Sequence, residues 1–396
     1  MDICALIGNL FFGRAGSLPG LSPAPDWDAI CAELKEQAIS LLFSDYLIHR
    51  DLDEQELERW RRTCFGSFRM NLDILSVQQW LNDVLTENSI PFMVVKGAAA
   101  AVLYPRPILR AQGDIDLVIA PDRFHEGLET LVRAGCVRTG DEEEDSRHIN
   151  LLKDGVVIEL HSRFARLSSA EAEAMLDRWI FEAIPQETID QEIFGMHFPA
   201  PPDMLNGLIL LTHINQHLEE GLGLRQIIDW MMYVRRSLDD TSWPAFRGKA
   251  AQLGLEKLAV AVTRMCQLYL GLPEEITWCM GVDEKLCKDL LEYLFDCGNF
   301  GFKNPTDNTA AMVISHGRGV RGFFRNLQSR GEANWELYKK HGWLKPFAWI
   351  YQGCRYARIA LGRKDALTHL KQSMEDGRRR GDLLDRLGAT SLARKK

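Results

Sequence analysis

Asp114 and Asp116 stand two apart in Gly113-Asp-Ile-Asp-Leu117, a run that alternates acid with aliphatic. On a strand, that spacing turns both carboxylates to one face while Ile115 and Leu117 enter a core. Two acids about 5–7 Å apart on an open face repel, and a cation between them relieves the repulsion. Oxygen-only ligands select a hard divalent ion, Mg2+ first and Mn2+ as the alternative. Gly113 permits a close backbone approach just before the pair. The competing reading is a solvated strand edge.

A third carboxylate comes from a hairpin. Asp154-Gly155 is a two-residue turn signal between His148–Lys153 and Val156–His161. With that turn, Lys153 pairs with Val156, Asn150 opposes Glu159 and His148 opposes His161. Alternation then puts His148, Asn150, Glu159 and His161 on one face, and Ile149, Leu151, Ile158 and Leu160 on the other. Glu159 beside an Asp-x-Asp pair completes the set that two-metal phosphoryl chemistry needs. Upstream, Lys96-Gly97 follows a β-rich run and opens an Ala-rich helix. A glycine there lets phosphate oxygens reach backbone amides, and the lysine adds a fixed positive charge. Arg110 is placed to clamp phosphates bidentately.

These residues need elements to hold them. Asp26 caps a helix expected to run through Ile39 and Leu42 to Tyr46, and a longer helical pattern covers Glu54 to Glu87, with Gly66 as an expected break. Pro91–Val95 and Asp114–Ile119 read as strands, and Phe124, Leu128 and Leu131 mark a helix ending at Gly135. From Pro202 helical patterns dominate: Met204–Glu220, Leu224–Ser237, Trp243–Leu253, Leu258–Leu270 and Lys285–Phe295. Gly298–Thr309 reads as a linker and Asp141–Asp145 as a solvated acidic loop. The expected organisation is α+β: an N-terminal helical region (1–89), a small mixed sheet with helices (90–200), a helical domain (201–300) and a basic helical extension (301–396).

The ordered set Lys96-Gly-(x)6-Tyr104-Pro105, Arg110-(x)2-Gly113-Asp-Ile-Asp-Leu117, His148-Ile149, Ile158-Glu-Leu-His161 and His213-(x)3-His217-(x)7-Arg225-(x)3-Asp229 resembles the uncharacterised bacterial nucleotidyltransferases of the polymerase-β-like superfamily, over about residues 25–300. The resemblance implies a minimal nucleotidyltransferase core between helical segments, moving a nucleoside monophosphate from a Mg2+-bound NTP to an acceptor. It implies Asp114 and Asp116 on both metals, Glu159 on the catalytic metal and as base, and Lys96, Gly97, Arg110 and Gly113 on the triphosphate side. The wider superfamily has Gly-Ser or Gly-Gly where this chain has Gly97-Ala98, so a serine that usually touches the triphosphate is missing.

His148 and His161 face the acceptor, support the ligands, or are structural. His213 and His217, at i and i+4, share a helix face; Ile-Asn-Gln between them lacks the glutamate of a zinc-protease helix. They line the acceptor side or pack against the core domain. Arg225 and Asp229, also i and i+4, read as a helix ion pair.

Composition narrows the partners. The 396 residues carry net charge −8 with 46% hydrophobic residues, an ordinary globular balance. From Lys339 onward fifteen Lys/Arg face five Asp/Glu, so the body is acidic and the tail basic. An acidic body disfavours extended nucleic-acid binding and leaves the tail as the one place for an RNA or peripheral membrane contact. Docking of the aromatic, basic tail on the acidic body is the favoured reading. Nine scattered cysteines with no CxxC pair fit free thiols in the cytoplasm, and no run is apolar enough to span a membrane. The expected function is transfer to a small molecule, peptide or protein. The alternatives are a non-catalytic nucleotide-binding adaptor, or a toxin or defence nucleotidyltransferase acting on tRNA or protein.

Overall fold

The computed structural model describes residues 2–13, 22, 25–45, 53–139, 147–184, 186–298, 324, 327–328, 331–332, 335, 342–361 and 379–389. The acidic run 141–145, residues 299–309 of the expected linker, Tyr46, Arg363, Lys364 and 394–396 lie outside them.

Helices α1 (Asp2–Phe12) and α2 (Trp27–Glu36) open the chain, and Asp26 caps α2 by accepting from the Ala29 amide at 3.0 Å. Helix α2 does not run on to Tyr46. Ala38 takes a left-handed φ of 56°, and the Ile39 amide bonds back to the Leu34 carbonyl, a helix stop of the Schellman type. Helix α3 (Glu54–Glu87) is unbroken at Gly66, where an added Cβ would meet no atom within 4 Å. Packing on both sides of Gly66 outweighs its propensity cost of about 1 kcal/mol. Trp60 and Cys64 join a helical core, whereas Ile74, Leu75, Leu81 and Leu85 join the core beneath the sheet.

The sheet takes the order β1-β2-β5-β4-β3, from β1 (Phe92–Val95), β2 (Ile115–Ile119), β3 (Val137–Thr139), β4 (His148–Lys153) and β5 (Val156–His161). Strand β2 runs antiparallel to β1 and parallel to β5, so the sheet is mixed. The β4–β5 hairpin has the register expected from Asp154-Gly155, with His148 opposite His161 and Asn150 opposite Glu159. The three-residue edge strand β3 is exposed throughout and has no alternating apolar signal. A second hairpin, β6 (Ile189–Ile193) and β7 (Met196–Ala200), lays β7 against α3 and β1.

Ile115, Leu117, Ile119, Leu151, Ile158 and Leu160 line the face packed on α3 and α5 (Phe124–Arg133), all buried. The other face carries Asp116, Val118, Glu159 and His161 toward the helical side. There, short α4 (Gly97–Ala101) meets α7 (Asp203–Glu220) and α8 (Leu224–Ser237). At Gly207 a Cβ would fall 2.2 Å from Tyr233, so glycine lets α7 approach α8 this closely. Helices α6 (Ala170–Ala183), α9 (Trp243–Gln252), α10 (Glu256–Leu270) and α11 (Glu284–Cys297) complete the architecture, those after residue 202 within a few residues of their expected ends.

The basic tail meets the acidic body. Leu383, Leu384 and Leu387 are buried in the helical core. Arg386 pairs with Asp283 at 2.9 Å and Asp289 at 2.6 Å, and Arg379 reaches Glu292 at 3.7 Å. Farther upstream, Trp343, Phe347, Trp349 and Ile350 are exposed, the last two on α12 (Ala348–Leu361). All nine cysteines are free. Among the described residues no helix is long and apolar enough to cross a membrane.

Candidate active site

Lys96 makes the corner between β1 and α4 with φ 55° and ψ −124°, a conformation that costs a non-glycine residue about 1–3 kcal/mol. The fully buried Ala98–Ala101 and the Ala100 amide bonded to the Lys96 carbonyl at 2.7 Å hold it there. The corner delivers Lys96 Nζ to 2.6 Å from Asp116 Oδ1, with the Phe164 ring 5.1 Å away.

Parallel pairing of β2 and β5 registers Asp116 beside Glu159. His161 Nε2 lies 2.9 Å from Asp116 Oδ1 and 3.5 Å from Glu159 Oε2, and His148 Nε2 lies 4.0 Å from Glu159 Oε1. One ligand atom each from His148, Glu159 and His161 falls within 4.8 Å of the others, a spacing that could hold a metal ion. His161 Nδ1 is buried without a hydrogen-bond partner among the described residues.

Charges are unevenly compensated. Burial alone would raise Asp116, but Lys96 and the His161 hydrogen bond hold its carboxyl well below the usual range. Burial would likewise lower Lys96 and His161; their contacts with the acids raise both instead. The His161 hydrogen bond holds Glu159 low, and burial lowers His148. Asp114 behaves differently. It sits just before β2 with an exposed surface, yet enough protein surrounds it that desolvation, then Asp116 and Glu159, push its carboxyl up to about 6.

The segment leading to Asp114 is strapped from two sides. Asn71 of α3 donates to the Ile108 and Arg110 carbonyls at 2.7 and 2.9 Å and accepts from the Gln112 amide at 2.9 Å. From α8, Asp229 receives Arg110 Nε at 3.0 Å and Nη2 at 2.6 Å, together with the Tyr104 hydroxyl at 2.7 Å. Arg110 Nη1 bonds the Ala111 carbonyl, which Arg225 Nη1 also approaches at 3.3 Å. Arg110 is therefore engaged inside the protein rather than facing outward as the phosphate clamp expected from its sequence position. Asp229, expected to pair along its own helix, reaches across to this segment.

Gly97 and Gly113 stand where the sequence places them. A Cβ on Gly97 would lie 3.5 Å from Gln112 Oε1 and 3.6 Å from the Asp114 carbonyl, while Gly113 is open. His213 and His217 meet edge to face, Nε2 to Nε2 at 2.8 Å, and both are buried. Burial, then its His217 neighbour and Lys96, push His213 far down; burial, Lys96 and Arg225 bring His217 to about 4. Burial and the neighbouring Arg110 lower Arg225 to about 10. Lys96 thus lies within electrostatic reach of acids and bases alike.

Asn71 and Gln112 were not anticipated. The signal for Asn71 was a polar residue in register with Ile74, Leu75 and Gln78 on the buried stripe of α3. A cleft of about 860 Å3 lies beyond the ends of β2 and β5, lined by Asp122, Arg147, Ser162, Arg163, Glu173 and Arg178 among others. It adjoins the site through Ser162, next to His161, and does not include the carboxylates.

The mixed sheet sets Asp116 and Glu159 on adjacent parallel strands, with helices on both faces. Residues 23–271 match the family described as uncharacterised nucleotidyltransferase, and the chain belongs to that family. An antigenic nucleotidyltransferase-like protein from Paracoccidioides brasiliensis is similar over 50% of this chain and 93% of its own, at 16% identity and a TM-score of 0.32. No curated protein matches.

Proposed function

We propose that this chain moves a nucleoside monophosphate from a metal-bound NTP to a hydroxyl or similar acceptor on a small molecule, peptide or protein, releasing pyrophosphate. The reading rests on one observation above others: β2 and β5 pair in parallel with Asp116 beside Glu159, two residues from an Asp114 whose carboxyl burial, then these acids, push up. Oxygen ligands gathered beside one another fit a hard divalent cation. Asp114, Asp116 and Glu159 would hold Mg2+, with Mn2+ favoured where His148 and His161 join as nitrogen ligands. When bound, the metal would neutralise charge developing on the phosphate oxygens.

The chain's own residues divide the remaining work. Lys96, now paired with Asp116, offers its ammonium to the triphosphate, and Gly97 leaves the backbone beside it uncovered. Arg225 takes the guanidinium role first expected of Arg110. Glu159 accepts the proton of the acceptor hydroxyl, and His148, held neutral by burial, relieves Glu159 of it. The acceptor oxygen bonds to the α-phosphorus as the bond to the pyrophosphate oxygen breaks. His213 and His217 close the acceptor side. The nucleotidyltransferase core corresponds to residues 90–200, and free thiols support a cytoplasmic setting. Arginines of the tail engaged by α11 support a protein or small-molecule acceptor over nucleic acid.

The test is incubation with Mg2+ and each α-labelled NTP in a cell extract, followed by identification of the labelled species. Label and pyrophosphate should both appear with wild type, and neither with Asp114→Ala. Nucleotide binding without pyrophosphate release on any acceptor would favour a non-catalytic adaptor, in which the Lys96–Asp116 pair is permanent.

A further inference from the structure

Gln112 is 5% exposed, and both polar atoms of its side chain, Oε1 and Nε2, are buried with no hydrogen-bond partner among the described residues. Turning the amide over does not help, because neither end has a partner. Buried carboxamides are ordinarily satisfied, and one left with neither donor nor acceptor engaged is a burden on the fold. The location of this one is specific. Its backbone is fixed by Asn71, its carboxamide lies beside Gly97, and Asp114 follows two residues later. Glycine at 97 leaves that residue with no side chain of its own beside this carboxamide.

Resting on the nucleotidyl-transfer reading, we propose that Gln112 is a nucleotide-binding residue that recognises the ribose hydroxyls. The chemistry chooses among the parts of a nucleotide. Phosphate oxygens only accept, so they would satisfy Nε2 and leave Oε1 facing an anion. A sugar hydroxyl both donates and accepts, and a vicinal pair of hydroxyls satisfies both ends of a carboxamide at once. A site built to pair with a hydroxyl rejects the analogue lacking it, because its own buried groups are then left unpaired. Ribonucleotides should therefore be selected over deoxyribonucleotides.

The test pairs stability with binding. Gln112→Met keeps the length and removes both polar atoms; Gln112→Asn keeps the carboxamide but draws it back. Melting temperatures are measured for each, and calorimetry is run with Mg2+ and ATP, GTP, CTP and UTP, then with their 2′-deoxy and 3′-deoxy forms. Gln112→Met should melt no lower than wild type. It should bind the preferred ribonucleotide about tenfold or more weakly and lose the preference over the deoxy form, and Gln112→Asn should lose it in part. Lower melting with an unchanged preference would overturn the inference and make Gln112 structural, as would a wild type that binds both sugars equally. A wild type that binds none of the nucleotides would instead remove the functional reading on which the inference rests.

Discussion

Replacing Asp229 by Asn separates two roles for Arg110. The side chains of Arg110 and Asp229 are 5% and 2% exposed, and the carboxylate receives two guanidinium bonds and the Tyr104 hydroxyl. Asparagine keeps the shape and removes the charge, leaving the guanidinium buried beside a group that is now partly a donor. Breaking one side of a buried pair costs about 3–5 kcal/mol, far more than the net worth of the pair, because the remaining charge is uncompensated. The folded state already holds Arg110 more firmly protonated than usual, with Asp229 overriding the effect of burial, so the guanidinium has no neutral escape. Urea unfolding of Asp229→Asn should show that loss. The combination Arg110→Met, Asp229→Leu and Tyr104→Phe should recover most of it, since no buried polar group is left alone. A loss below about 1 kcal/mol, with a raised KM for NTP, would refute the strut and return Arg110 to the triphosphate.

Three further outcomes follow from the same geometry. Asn71→Ala strands the Gln112 amide and two carbonyls, and should cost about 2–4 kcal/mol while speeding amide exchange at Gln112; wild-type exchange would count against the strap. His217 sits at about 4 when folded against about 6.5 unfolded, so its contribution is complete above pH 6.5 and is lost as pH falls toward 4. Between pH 7 and 5 wild type should lose about 2 kcal/mol more than His217→Gln in urea titrations, and parallel profiles would contradict this. Gly66→Ala, in the middle of α3 with open space around it, should stabilise by about 0.5–1 kcal/mol and raise Tm; a lower Tm would mean that the helix needs its glycine.

Local chemistry explains what could be read from the chain alone. Asp154-Gly155 sets a hairpin register, and register carries Glu159 and His161 to one face without any tertiary knowledge. Asp-Ile-Asp likewise announces a strand, although β2 is buried on both faces where alternation suggests one open face. Long-range choices are silent in sequence. Arg110 and Asp229 are 119 residues apart, and nothing near either one says that they meet. Gly66 looks like a helix break because propensity is local, whereas α3 is held by two cores. Ala38 ends α2 in a left-handed conformation for which alanine gives no warning. Strand β3 is short, exposed and an edge, so it carries no alternation to detect.

The central claim is that Asp114, Asp116 and Glu159 together hold the metal that NTP chemistry requires. The most direct measurement is transfer of label from α-labelled NTP, with Mg2+ titrated, in wild type and in Asp116→Asn. Asparagine keeps the contour of Asp116 but gives up the charge that Lys96 and His161 now share. Wild type should label an acceptor in proportion to Mg2+ and stop on chelation, while Asp116→Asn, assayed at a temperature where circular dichroism shows it still folded, should fall by about a thousandfold or more. Equal labelling by the two proteins at every Mg2+ concentration would contradict it.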